Sequence, residues 1–203
     1  MKLYLVRHGE STDNKNMIHQ GQRNSQLTDW GSEQAKKVAE RLKNERFDIA
    51  YSSDLDRTIR TAEEILKFHP HLKLIKVREL REQGKGIHEG KPLGDLDKAL
   101  EKYKIEFHKY KPKGGESFQE VWNRTIDFYK ELKLKHKNDS VLIVGHGGPI
   151  ACLIAYLHKD NVNDVNKYFL KNTSVTIVDV DKKATPKFSV INCTKHIEYQ
   201  DKN

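Results

Sequence analysis

A chain of 203 residues can bury a full core without help from disulfides or metal, and it fits one domain, expected over residues 1–203. Its two cysteines, Cys152 in the apolar run PIACLIAYL and Cys193 near the end, read as lone thiols of a reducing compartment and exclude a disulfide scaffold. The net charge of +8 could attract anions, but the lysines are dispersed among acids as on a solvated surface, which argues against a nucleic-acid partner.

No stretch approaches the roughly 18 apolar residues of a membrane span, and the first residues lack the apolar core of a secretion signal. No membrane partner and a cytoplasmic location are expected. In chain order, Leu3 to Val6 are four consecutive apolar residues between Lys2 and Arg7, which suits a central strand covered on both faces. Arg7, His8, Gly9 and Glu10 follow, where an open α/β sheet places its ligand crevice. Gln20 and Gly21 lie in a Gln- and Asn-rich connection, and Thr28 is expected to cap a helix. From Gly31 to about Glu45 the spacing of Ala35, Val38, Ala39 and Leu42 predicts an amphipathic helix. Phe47 to Tyr51 reads as a second strand. Ser53 is expected to cap the next helix with Asp56 three residues on, which puts Arg57 in a first turn, where free N–H groups and the dipole favour an anion.

Leu72 to Val77 alternates like a strand nearer the sheet edge. The long polar loop ELREQGKGIHEGKP follows, of a length that in a compact domain is usually functional or disordered. A helix is expected from about residue 94 to 107, and Ser117 with Glu120 forms a capping box for another that runs to about His136. Ser140 to Val144 is a buried strand ending on GHGGP, and Pro149 to Leu157 an apolar helix. Asn161 to Leu170 reads as one more short helix, and Ser174 to Val180 and Lys187 to Ile191 as the last strands.

Two strands therefore end on His8 and His146, and in a parallel sheet such ends can lie side by side. Adding Arg7, Arg57 and an acid from the long loop gives a nucleophile, cationic groups and a proton donor. Phosphoryl transfer needs an in-line nucleophile, donors for the equatorial oxygens and a proton for the leaving oxygen. A neutral imidazole can attack phosphorus while an Arg fork holds the oxygens. No metal site and no cofactor are expected, since no Cys, His or carboxylate cluster has ligand spacing.

These residues resemble the histidine phosphatase superfamily, which includes cofactor-dependent phosphoglycerate mutase. The matching motifs are LVRHGES with Asn14, QGQ at 20 to 22, LTDWGSEQA, SSDLDRTIRTA, LREQGKGIHEG, KGGES and VGHGG, in the family's order over nearly the whole chain. The resemblance implies an α/β fold, a three-layer α/β/α sandwich around a mostly parallel sheet. It implies that His8 becomes the phosphohistidine and that Arg7, Asn14, Arg57 and His146 form the phosphate pocket. Gln20 and Gly21 would stand beside that pocket and Gly147 just after the second histidine. Glu82 would protonate the leaving alcohol and later activate water, with Glu79 and Glu89 as rivals on the same loop.

Other readings of single residues stay open: Arg57 pairing with Asp54 or Asp56, and His146 as a core histidine. Glu10 and Glu116 are expected to orient loops, and His19 and His88 to sit at the surface. Asp13 stands where many relatives carry tryptophan, Gln26 where proline is common, and Lys85 where an aromatic residue is usual. With Arg81, Lys91, Lys111 and Lys113, Lys85 would make a basic rim that favours a second anionic group on the substrate.

The mutases carry an extra basic segment with paired arginines that this chain lacks, so the resemblance is to the fructose-2,6-bisphosphatase-like and broad-specificity phosphatases. The expected function is metal-independent hydrolysis of small phosphorylated metabolites, sugar phosphates or phosphorylated acids. The alternatives are a mutase and a phosphate-recognising module without turnover. The expected partner is the small phosphorylated substrate, and a homodimer stays open.

Overall fold

With four apolar residues in succession β1 (Lys2–Arg7) has no polar face, so it needs cover on both sides. In the computed structural model, which describes residues 1–181 and 185–197, it has that cover and lies inside a six-stranded sheet. β1 pairs in parallel with β4 (Ser140–Gly145), which pairs in parallel with β2 (Ile49–Ser53), which pairs in parallel with β3 (Leu74–Val77) at one edge. On the other side β5 (Val175–Asp179) and β6 (Lys187–Cys193) extend the sheet antiparallel, giving the order β3-β2-β4-β1-β5-β6.

Alternate residues of a strand face opposite sides. Tyr4 and Val6, with Leu142 and Val144 of β4, meet Val38, Ala39 and Leu42 of α2 (Asp29–Leu42) and Ala62 and Ile65 of α3 (Asp56–Leu66). Leu3 and Leu5, with Val141 and Ile143, meet Tyr129 and Leu132 of α5 (Phe118–Lys135) and Ile150, Leu153 and Ile154 of α6 (Gly147–Leu157). The result is the expected three-layer α/β/α arrangement with a mostly parallel sheet. Two shorter helices, α1 (Thr12–Lys15) and α4 (Asp95–Tyr103), lie in the connections.

Side-chain caps mark the starts of α1, α2 and α5. The Thr28 hydroxyl oxygen accepts the Gly31 N–H at 2.9 Å, and Ser117 and Glu120 form the expected capping box. The cap assigned to Ser53 is a correction. Ser53 stays in β2, paired with Val77, because the sheet ladder takes its backbone, and α3 starts after Leu55 with no side-chain cap. The Ser53 hydroxyl oxygen instead accepts the Leu55 N–H at 3.3 Å. The helix expected over Asn161 to Leu170 is a 3-10 helix, Val162–Tyr168, capped by Asn161.

Among the described residues no helix is long and apolar enough to cross a membrane. Both cysteines are free thiols, Cys152 buried in α6 and Cys193 half-buried at the end of β6.

Candidate active site

Because β1 and β4 are parallel neighbours with Arg7 opposite Gly145, the residues that follow, His8 and His146, emerge side by side. Their ring centroids are 5.1 Å apart at 63°. The turn after His8 has to be narrow: a Cβ on Gly9 would collide with the Gly31 carbonyl oxygen at the start of α2, so the chain passes that helix backbone to backbone. The Gly9 N–H donates to the Thr61 hydroxyl of α3 at 3.1 Å.

The His8 ring is buried, and its Nδ1 lies 2.6 Å from the Gly9 carbonyl oxygen. A carbonyl can only accept, so Nδ1 carries the hydrogen and Nε2 of the neutral ring carries a lone pair. Burial, then Arg57 and Arg7, push the His8 pKa well below the ordinary 6.5, so the ring is neutral at pH 7. His146, fully buried and capping α6, has the opposite tautomer: its Nδ1 accepts from Arg57 Nε at 3.3 Å, so Nε2 carries the hydrogen. That Nε2 has no partner among the described residues.

Arg57 is only 1 % exposed although it is an arginine, and its contacts account for that. Nη1 donates to the Arg23 carbonyl at 2.8 Å and Nη2 to the Gly21 carbonyl at 2.9 Å, besides the Nε bond to His146. A guanidinium has five N–H groups, so these bonds fix its plane and leave donors over. Burial lowers its pKa to about 10, which keeps it charged at neutral pH. It pairs with neither Asp54, which binds Arg81, nor Asp56, which accepts from Gln26. Arg7 donates through Nη1 to the Leu170 carbonyl, while its Nε is buried without a partner.

Asn14 completes the capping box of the short α1, whose N-cap is Ser11; its amide oxygen accepts from the Ser11 N–H at 3.3 Å and from Asn172 Nδ2 at 3.2 Å, which leaves its own Nδ2 as donor. Gln20 Oε1 accepts the Ser11 hydroxyl at 2.8 Å. Glu82 reaches the start of α6: Oε2 accepts the Gly148 N–H at 3.2 Å and Oε1 the Gln83 N–H at 2.9 Å. The approach needs glycine, since a Cβ on Gly148 would collide with Glu82 Oε1.

Arg7, His8, Asn14, Gln20, Gly21, Arg57, Glu82 and Gly147 thus line one cavity of about 660 Å³, with His146 behind His8 and Arg57. Of the rival acids, Glu89 is occupied by the backbone N–H groups of Gln22 and Lys85, at 2.9 and 3.0 Å, and Glu79 does not line the cavity. Glu10 accepts the Thr28 hydroxyl at 2.8 Å and Glu116 the Gly84 N–H at 2.8 Å, so both orient loops.

His19 and His88 are not at the surface. The backbones of His19 and residues 90–91 bond to each other, and both rings are buried. His88 bonds Asp95 at 2.6 Å and the Tyr110 hydroxyl at 3.0 Å, and His19 lines the cavity. The basic rim is also rearranged. Arg81 grips both oxygens of Asp54, Lys91 lies 3.4 Å from Asp95 and Lys111 2.6 Å from Glu120. Lys85 alone of that set lines the cavity, and its Nζ donates to Gln83 Oε1 at 2.6 Å. Asp13 lines the wall with one oxygen buried and unpartnered.

Sequence reasoning missed Asn172, whose Nδ2 donates to the His8 carbonyl at 2.9 Å, and the mouth residues Met17, Leu93, Phe169 and Lys171. The signal for Asn172 is faint: it is one of four polar residues, Lys171 to Ser174, that precede β5, the strand that lies against β1. Among the described residues no group of three His, Cys, Asp or Glu is arranged to hold a metal ion.

Known proteins share this arrangement of sequence and fold. The chain is 32 % identical over 190 residues to phosphoserine phosphatase 1 of Hydrogenobacter thermophilus, covering 90 % of this chain and 88 % of the relative. It is 37 % identical over 183 residues to the metal-independent phosphoserine phosphatase of Arabidopsis thaliana, covering 87 % and 75 %. The crystal structure of the alpha-ribazole phosphatase from Shigella flexneri superposes with a TM-score of 0.87 at 28 % identity, over 96 % of this chain and 97 % of that one. Residues 3–194 match the model of the histidine phosphatase superfamily (branch 1), and the chain belongs to that family as a phosphatase.

Proposed function

We propose that the protein hydrolyses small phosphomonoesters in two steps, through a phosphohistidine on His8. The observation that carries this reading is the His8 ring itself, neutral and held by Gly9 with the Nε2 lone pair left over, among the cationic side chains of Arg7 and Arg57. In the first step Nε2 forms a bond to phosphorus as the ester P–O bond breaks, and the electron pair goes to the alcohol oxygen. Glu82, in its acid form, gives that oxygen its proton.

Charge spreads over the equatorial oxygens as the bond breaks, and donors already fixed by the fold stabilise it without reorganising. These are Arg7, the spare N–H groups of Arg57, His146 Nε2, Asn14 Nδ2 and the first N–H of α6 at Gly147, with Gln20 and Gly21 at the rim. In the second step Glu82, now a carboxylate, takes a proton from water, whose oxygen attacks phosphorus and returns His8 to the neutral ring. Arginine supplies the positive charge that a metal would otherwise bring.

Phosphoserine and other phosphorylated acids are the first substrates to try, since two relatives are phosphoserine phosphatases. The free thiols Cys152 and Cys193 fit a reducing, cytoplasmic setting. The test is turnover of a phosphomonoester panel with quenched enzyme checked for label on His8. Release of phosphate through a labelled His8 supports the proposal, and transfer of the group to a second acceptor instead of water would make the enzyme a mutase.

A further inference from the structure

The turn that enters β5 is strained. Thr173 sits at φ +50°, in the left-handed region that a β-branched residue almost never adopts, and it is fully buried, so its surroundings have to hold it there. The hydrogen bonds of the turn account for the strain. The Thr173 N–H lies 3.1 Å from the Arg7 carbonyl oxygen and 3.3 Å from that of His8, and the Ser174 carbonyl oxygen accepts the Arg7 N–H at 3.4 Å. The turn therefore grips the end of β1 at the two residues that begin the site.

Asn172, one residue earlier, adds a bond of a different kind. A side-chain amide has two N–H groups, and Asn172 Nδ2 has two acceptors for them, the His8 carbonyl oxygen at 2.9 Å and Asn14 Oδ1 at 3.2 Å. It links the backbone of the nucleophile to a side chain of the phosphate pocket. The link matters because the two ends of an asparagine amide are nearly alike in shape and differ in what they bond. Turned one way, Asn14 offers a phosphoryl oxygen an N–H; turned the other, it offers a carbonyl oxygen that repels it. Donors around Oδ1 decide between the two. Those are the Ser11 N–H at 3.3 Å, the Ser11 hydroxyl at 3.1 Å and Asn172. The hydroxyl has one hydrogen and also faces Gln20 Oε1, at 2.8 Å, which leaves the Ser11 N–H and Asn172 as the donors that Oδ1 does not share with Gln20.

We propose that Asn172 is a positioning residue, whose two amide hydrogens hold Asn14 in register with His8 and turn the Asn14 Nδ2 toward the phosphoryl oxygens. Asn172 acts through Asn14 and needs no contact of its own with the phosphoryl group. The proposal rests on the phosphatase reading above and adds to it the part that fixes the polarity of one phosphate contact.

A double-mutant cycle tests it, read as affinity for inorganic phosphate by calorimetric titration and, in parallel, as turnover of p-nitrophenyl phosphate. Asn14→Ala and Asn172→Ala are each expected to weaken phosphate about tenfold, the scale of one hydrogen bond to a charged group. The double variant should bind at most about twofold more weakly than Asn14→Ala alone, since with the Asn14 amide gone there is nothing left to orient, whereas independent losses would multiply to about 100-fold. Asn172→Ser, whose hydroxyl has one hydrogen for two acceptors, gives the same cycle if the alanine variant does not fold. Losses that multiply, as for an independent contact or a purely structural role, overturn the proposal, and so does an Asn172 variant that binds phosphate as tightly as the wild type. Coupled losses of affinity with no turnover of the ester by the wild type overturn the phosphatase reading and leave the role of Asn172 standing. Wild-type protein that binds no phosphate removes both.

Discussion

His8 Nδ1 lies 2.6 Å from the carbonyl oxygen of its own neighbour, Gly9, and this one contact fixes which ring nitrogen is available to phosphorus. Rapidly quenched enzyme should therefore carry its phosphoryl group on Nε2 of His8, acid-labile and base-stable. His8→Ala should lose both label and turnover, as read by mass spectrometry and phosphate release, and full activity in that variant would remove the mechanism.

Burial and two arginines depress the pKa of His8 and His146 below the unfolded value of 6.5. For such a group the unfolded state binds more protons as pH falls below 6.5, so folding stability rises with pH through the window below 6.5 and is lost on acidification. The melting temperature should fall between pH 7 and pH 5, and less steeply in His146→Asn. The acid limb of kcat/KM that comes from His8 should lie below pH 6.5, and a limb at or above 6.5 assigned to His8 would contradict its burial.

Replacing Arg57 tests whether its plane matters beyond its charge. Lysine cannot reach the Gly21 and Arg23 carbonyls and His146 Nδ1 together. Arg57→Lys should cost about 1–3 kcal/mol by denaturant unfolding, the scale of leaving one buried acceptor unpaired, and lower kcat/KM sharply. Near-normal activity would mean that position 57 supplies only a point charge.

The assignment of Glu82 as acid predicts a dependence on the leaving group. Glu82→Gln should lower turnover of alkyl phosphates by about 100-fold or more but spare a nitrophenyl ester, whose leaving group barely needs the proton. Gly148→Ala, which pushes the carboxylate from its seat, should show the same signature with little loss of stability. Equal losses on both esters would demote Glu82 to a binding role.

The proposed mechanism draws its positive charge from Arg7 and Arg57, so it predicts that activity survives exhaustive chelation, assayed before and after dialysis against a strong chelator. A loss restored only by a divalent ion would contradict this.

Much of the fold was legible from local pattern. LYLV and SVLIV read as strands covered on both faces, and their parallel pairing put His8 beside His146, so two motifs that lie far apart in sequence came together. Thr28, Ser117 and Glu120 marked helix starts because capping is a local hydrogen bond. Where a residue could serve two elements the sequence misled: Ser53 has a capping residue's chemistry, but the ladder to β3 claimed its backbone.

The sequence by itself marked the candidate residues at the centre: a histidine on a glycine turn, a second histidine, two arginines and an acid, with the strand and helix ends that carry them. Only the tertiary structure decided what surrounds that chemistry. Asn172 and Phe169 reach the site because β5 returns antiparallel beside β1, and His19 is buried because residues 90–91 pair with its backbone. Arg81, Lys91 and Lys111 are spent on nearby carboxylates, so the expected basic rim gives way to an apolar mouth. The reason is physical: catalytic groups announce themselves by residue type beside a strand or helix end, whereas a cavity wall is made by side chains from distant segments, and which of them face it depends on pairing and packing that no local pattern encodes.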